Sequence, residues 1–492
     1  MLVRVPLNSA RYGARFIRSA CCHATTCIIT VAFAAQEAHA NDWKIEPSIS
    51  AYESFTSNAG LDPPGKEKAD FVTTVSPAID VDRKGPRLNF DLNYNLDAIL
   101  YAREHDLDEV QHRLRFDTRA VVFPELFFLD ANAAISQQPK QSERPSSGSQ
   151  FTASTNEESV YTYRISPSLH NHLGNFADSS VRYTFGQVFA NGLSDTTIQR
   201  LDSSLTSGRQ FPRLIWALTE NAAYSSGSRN VSDIFAAASA EYHIDRTVSL
   251  VGSAGYERIS DSTLDDEPDG PIGTAGVRLT PGPRTSLEVL YNHRFGSNFV
   301  TGKLSYLIDT QSRLDAGYTE RVETSQLAFV DNLDFLQRDK TGAFIDSRTE
   351  RLFRLDDSSF GLEDNAFRLR AFNLSLHLVR GRNTWDAVAY HERRTIDALD
   401  ERDTAFGGSL NWAHQLNEVS SLNLTARYRY ETFDDPSGDD HVQLVGAGAA
   451  LVNNLDDNLD AVIAVNFTKQ FADKSDNEFV ETVVSLGLIK RF

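Results

Sequence analysis

The stretch RLNFDLNYNLDAILY, residues 87–101, decides how this chain is read. Leu88, Phe90, Leu92, Tyr94, Leu96, Ala98 and Leu100 alternate with Arg87, Asn89, Asp91, Asn93, Asn95 and Asp97. That is the period-two pattern of a β-strand with one apolar and one polar face. It leaves open which face is inside. In a soluble sheet the leucines would form a core and the asparagines would meet water. In a membrane barrel the leucines would meet lipid and the asparagines would line a lumen.

The same alternation recurs along the chain. Ile45, Pro47, Ile49, Ala51 and Phe55 share one face of WKIEPSISAYESFT, and Phe71, Val75, Pro77, Ile79 and Val81 one face of DFVTTVSPAIDVD. QHRLRFDTRAVV sets Leu114, Phe116, Ala120 and Val122 against Arg113, Arg115, Asp117 and Arg119. SSLNLTARYRYE sets Leu422, Leu424, Ala426, Tyr428 and Tyr430 against Asn423, Thr425, Arg427 and Arg429. Such segments number about 22, with 18–24 as the range, and only 325–366 has room for a helix. Short turns (83–86, 124–126, 244–247, 310–312, 381–383) alternate with long loops, above all 57–69, 138–156 and 324–366. Short turns on one rim and long loops on the other are the pattern of an outer-membrane barrel with both ends in the periplasm. Pro47, Pro77 and Pro167 fall toward the short-turn rim, and Phe55, Phe71, Phe189, Phe295 and Tyr430 toward the other, where an aromatic girdle belongs.

The termini agree. Arg4, Arg11, Arg15 and Arg18 precede the apolar run ATTCIITVAFAA and the small-x-small site Ala38-His39-Ala40. Residues 1–40 therefore read as a cleaved signal peptide. Cys21, Cys22 and Cys27 all lie in it, so residues 41–492 have neither a disulfide framework nor a thiolate metal site. Taking four Arg from 48 basic residues and one Glu from 67 acidic ones leaves 44 and 66, net −22. That balance argues against nucleic acid as a partner. At the other end, Val484, Leu486, Leu488 and Phe492 alternate toward a C-terminal aromatic. Outer-membrane barrels have final strands of this kind, which the barrel-assembly machinery reads; Lys490 departs from the pattern.

These features predict an all-β fold: a closed antiparallel transmembrane β-barrel in the outer membrane of a Gram-negative bacterium, one domain over 41–492 with a long loop at 324–366. Every backbone polar group in lipid must be paired within the protein, so an all-strand protein there has to close. The apolar face then meets lipid. Asn89, Asp91, Asn93, Asn95, Asp97, Arg113, Arg115, Asp117, Arg119, Asn423, Arg427 and Arg429 become lumen-lining candidates, with carboxylates and guanidinium groups on neighbouring strands expected to pair. No separate N-terminal plug is visible, because alternation begins almost at Asn41.

Sites of chemistry are sparse. GLDPPGKE (60–67) resembles a phosphate loop, but Glu67 replaces the Ser/Thr, Pro63 and Pro64 remove donors, and the stretch joins two strands. No H-E-x-x-H and no G-x-S-x-G occurs among the scattered His and Ser residues. No catalytic residue, cofactor or metal site is assigned. Asp265, Asp266 and Glu267, then Asp434, Asp435, Asp439 and Asp440, then Asp473 and Asp476 make the outer loops acidic. Loop 324–366 carries nine acidic and five basic residues. Solvated loops, or divalent cations bridging to lipopolysaccharide, would account for them.

DWKIEPSISAYESFTSNAGL, DFVTTVSPAIDV, RLNFDLNYNLDAILYA and LFFLDANAAISQQ resemble the outer-membrane β-barrel proteins associated with PEP-CTERM/exosortase systems, close in style to porin-like barrels and linked to exopolysaccharide secretion. The resemblance is sharpest over 42–138. It implies a non-enzymatic channel or conduit for exopolysaccharide or surface-protein secretion. The alternatives are a structural or adhesive barrel without transport, and a barrel enzyme acting on lipid or polymer.

Overall fold

In the computed structural model, residues 43–492 are described except 142, 147–153, 191–193, 228–229, 262–268, 295, 339–343, 347–350, 353–359, 361–365, 397–400 and 435–439. Twenty-two strands form one sheet, each antiparallel to its neighbours in chain order. The first strand, Trp43–Thr56, pairs with the last, Phe479–Arg491, from Ser48–Arg491 to Thr56–Val483, and closes the ring. The predicted segments and the observed strands agree to within a few residues. The stretch 87–101 becomes the strand Leu88–Tyr101.

The period-two pattern places the side chains. Ile45, Ile49, Phe55, Phe71, Leu100, Val110, Leu486 and Leu488 are exposed on the outer surface. Alternate residues such as Ser54, Thr56, Val72, Ile99, Arg115 and Ser485 are buried within. Two aromatic belts frame the outer apolar band. Trp43, Phe90 and Phe116 meet edge to face at the short-turn rim, where Trp385 stacks on Trp412. Phe55 and Phe71, Tyr163 and Phe189, and Phe406 and Tyr430 meet near the other rim. Phe295 lies outside the described residues.

Connections at one rim are two to six residues long; at the other they reach the length of 324–366. Pro77 and Pro167 leave one-sided gaps in the ladder without changing register: Val75–Ala98 resumes at Ala78–Asn95, and Ile165–Phe185 at Ser168–Arg182. Proline has no N–H to donate, so the interruption stays local. Gly65, at φ 85°, turns the 57–69 loop between two strands. The phosphate-loop likeness of 60–67 thus has no helix to open onto.

Candidate functional site

Asn89, Asp91, Asn93, Asn95 and Asp97 share the inward face with Ile99 and Tyr101, opposite the exposed Leu100. Arg113, Arg115, Asp117 and Arg119 face inward on the next strand, and Asn423, Arg427 and Arg429 on the strand Ser420–Phe433. Carboxylates and guanidinium groups on neighbouring strands do pair, though not every facing position matches. Asp91 stands opposite Asp117 and also opposite Asp82. Asn93 and Asn95 stand opposite Arg115 and Arg113. Ion pairs form directly across, as between Arg278 and Glu288 or Arg394 and Asp403, and also on diagonals. Arg113 Nη2 lies 2.5 Å from Asp97 Oδ2, whose side chain is only 2% exposed. The register follows from the turns, and a shift of two residues keeps the same face while changing every partner.

Residues beyond these candidates extend the network. Asp130 accepts Arg182 at 3.1 Å and lies 3.7 Å from Arg119. Asn132 donates to Asp117, and its own oxygen accepts both Nε and Nη2 of Arg164 at 3.0 Å. Asp130, Asn132, Arg164, Arg182 and Arg200 sit on alternating segments, so parity alone puts them on the lumen face.

Parity does not show what meets them. After the strand Arg313–Glu323, Thr324 caps the helix Ser325–Phe335, its hydroxyl accepting Leu327 N–H at 3.2 Å. The helix crosses to strands 5–8 of the ring (Phe127–Pro139, Glu157–Leu173, Ala177–Ala190 and Thr196–Ser207), although it leaves from strand 15 (Arg313–Glu323). Val330 packs on Val160, Val188 and Ile198, with Leu327 and Phe329 beside it. Arg164 Nη1 donates to Val330 O at 3.3 Å. Arg200 holds Asp331 with two bonds, 2.6 and 3.1 Å. Gly186 makes the approach feasible: a Cβ there would lie 3.2 Å from Val330 Cγ1. Phe360 meets the wall next to the strand from which the helix leaves. Phe360 is buried against Phe367, Leu369, Ile396 and Ala405, and the guanidinium of Arg394 lies 4.7 Å above its ring. Arg394 in turn pairs with Asp403 at 2.6 Å. The described residues of 324–366 thus meet the lumen wall at two places, the helix at Val160, Val188, Ile198 and Arg200 and Phe360 at Phe367, Leu369, Ile396 and Ala405.

No family model matches the chain, and no curated protein matches it. Solved structures do. A mutant of the ferric enterobactin receptor of Pseudomonas aeruginosa, in complex with enterobactin, aligns over 91% of this chain and 81% of its own at 10% identity and TM-score 0.50. The FrpB iron transporter from Neisseria meningitidis aligns over 92% and 82% at 11% identity and TM-score 0.50. What is shared at such identity is the fold, a large outer-membrane barrel.

Chemistry of the catalytic kind is not assembled by the nearest candidates. Ser249 Oγ lies 2.7 Å from His243 Nδ1 inside the lumen, but Glu241 approaches the same nitrogen at 3.7 Å. A nucleophile–base–carboxylate relay needs the two partners on opposite ring nitrogens. Among the described residues no three His, Cys, Asp or Glu side chains converge as metal ligands. Asp440 is paired with Lys474, and Asp473 accepts the His441 N–H at 3.0 Å. Asp265, Asp266, Glu267, Asp435 and Asp439 lie outside the described residues, as do Ala38 and Ala40. Val484, Leu486 and Leu488 are exposed on the outer face, and Phe492 N–H donates to Pro47 O at 2.9 Å.

Proposed function

We propose that this protein is an outer-membrane conduit whose polar lumen is narrowed by the bridge 324–366. The observation that carries this reading is the bidentate Arg200–Asp331 contact. It ties a segment leaving strand 15 to the wall at strand 8, across a lumen lined with Asn, Asp and Arg. Barrels of 22 strands enclose a lumen wide enough to be plugged in outer-membrane transporters. Here the bridge supplies material that limits passage, while the charged walls on either side stay wet. Short turns face the periplasm and long loops the exterior, with Val484, Leu486, Leu488 and Phe492 as the signal for barrel assembly. Hydrophilic cargo fits such a wall: an exopolysaccharide or a surface protein on its way out, in keeping with the resemblance of residues 42–138. No step of bond making is required of the chain in this role.

Single-channel recording in planar bilayers tests the proposal. The intact protein gives a small conductance, and removal of 326–365 with a short Gly/Ser join raises it several-fold. A barrel that is folded by gel mobility yet silent in both forms would overturn the conduit and leave a structural or adhesive role.

A further inference from the structure

The outward face near the long-loop rim changes character between strands 15 and 18. One row around the wall is aromatic: Tyr318 pairs with Phe372, Phe372 with His391, His391 with Phe406, and Phe406 with Tyr430. Two residues further toward the rim, the aligned outward positions are Glu320, Arg370, Arg393 and Thr404. Two further again they are Val322, Arg368, Thr395 and Arg402. Eight positions therefore hold four arginines and one carboxylate. At about 3.3 Å per residue the two rows lie roughly 7 and 13 Å farther along the strands, or about 5 and 10 Å along the axis of a barrel whose strands tilt by about 35–45°. Aromatic rings mark the headgroup boundary of a barrel, so the arginines stand at the level of the lipid phosphates.

Arg370 and Arg393 are directly opposite one another, an arrangement that repels when nothing lies between them. The single carboxylate is engaged by Arg370 and Arg368. Glu320, its side chain fully buried, accepts Arg370 Nε at 3.0 Å and lies 3.8 Å from Arg368. Arg393 Nε is buried with no hydrogen-bond partner among the described residues. The wall is also open beside this patch. The ladder between Ser297–Leu307 and Arg313–Glu323 runs from Leu307–Arg313 to Gly302–Tyr318 and goes no further, although both strands continue toward the rim. An opening of this kind is excluded from hydrocarbon but tolerated at a polar depth.

We propose that Arg368, Arg370, Arg393 and Arg402 form a binding site for the phosphate groups of an outer-leaflet glycolipid. The proposal rests on the outer-membrane reading above, but not on conduction. Guanidinium groups suit phosphate because their planar donors bind it in pairs. A lipid-borne phosphate is the fitting source, since the aromatic row directly below supplies a surface for its acyl chains.

The test uses the full-length barrel in detergent, with native mass spectrometry titrations of bisphosphorylated lipid A, the same lipid dephosphorylated, and inorganic phosphate. The variant Arg393→Gln/Arg402→Gln leaves the Glu320–Arg370 pair intact; Arg258→Gln, an exposed arginine on the strand Val248–Asp261, is the control. The phosphorylated lipid should bind the intact protein and the control alike, and the double variant about tenfold more weakly. Equal binding of phosphorylated and dephosphorylated lipid would overturn the proposal. So would undiminished binding by a double variant that still shows the heat-dependent mobility shift of a folded barrel. Inorganic phosphate binding as tightly as the lipid would refute a lipid source. Bilayer conductance, expected unchanged in the double variant, separates failure of this site from failure of the conduit.

Discussion

At the scale of single residues, the lumen shows how little a cross-strand partner owes to its neighbours in sequence. Asp97 is almost completely buried and Arg113 remains one-third exposed to the lumen, so the pair is neither dry nor fully screened. Asp97→Ala should cost about 1–3 kcal/mol, the penalty of leaving a hydrogen-bonded charge without its partner. It would be read as a lower temperature for loss of the folded band on gels. Asp309, in the turn after the strand Ser297–Leu307, responds to pH. The Gln311 N–H and then the Arg380 guanidinium hold its carboxyl down to about 2. A folded-state pKa below the ordinary value stabilises the turn above about pH 4, and that stability is lost as pH falls toward 2. The protection of the Gln311 N–H, measured against its intrinsic exchange rate at each pH, should therefore fall between pH 4 and 2. Asp309→Asn should flatten that dependence; an unchanged profile would mean that the contact does not form.

At the scale of elements, alternation made the strands legible and also concealed what the bridge does. Each strand is a short run of period two, and that pattern survives whatever lies across the barrel. The helix Ser325–Phe335 has no comparable signature, because its apolar Leu327, Phe329 and Val330 answer to a local patch on strands far away in the chain. The sequence marked 325–366 as room for a helix but held no sign that Asp331 would meet Arg200, 131 positions away. Gly186 likewise reads as a weak point in a strand until Val330 is seen against it. Gly186→Leu should displace the helix from the wall, since even a Cβ is tight there. Asp331→Ala should loosen the same contact by removing the bidentate acceptor, at about 1.5–3 kcal/mol. Both variants should raise single-channel conductance while leaving the folded gel band in place. A conductance that stays at the level of the intact protein would show that the helix does not limit passage.

At the scale of the whole molecule, closure is the property on which the rest depends. Ser48–Thr56 and Val483–Arg491 seal the ring, and the last residue is tied to Pro47. Removal of Phe492 should reduce the yield of folded barrel in outer-membrane fractions, because it removes the terminal aromatic of the final strand. Unheated and boiled samples of the intact protein should migrate differently, as a closed hydrogen-bonded barrel resists detergent until heated. Identical migration would count against closure.

Read alone, the sequence determined the fold class, an approximate strand count and the parity of the faces. Those depend on a two-residue period and on a solvent that demands an apolar outside. It also carried the alternation of short turns and long loops, and the arginines of 368–402 were plain to see, though not as a group. Only the tertiary structure decided that Asp91 faces Asp117, that four arginines gather above an aromatic row, and that the helix Ser325–Phe335 docks on Val160, Val188 and Arg200. Register and docking depend on contacts between residues remote in the chain. Those contacts exist only once the ring has closed and brought strands 8 and 15 around one space.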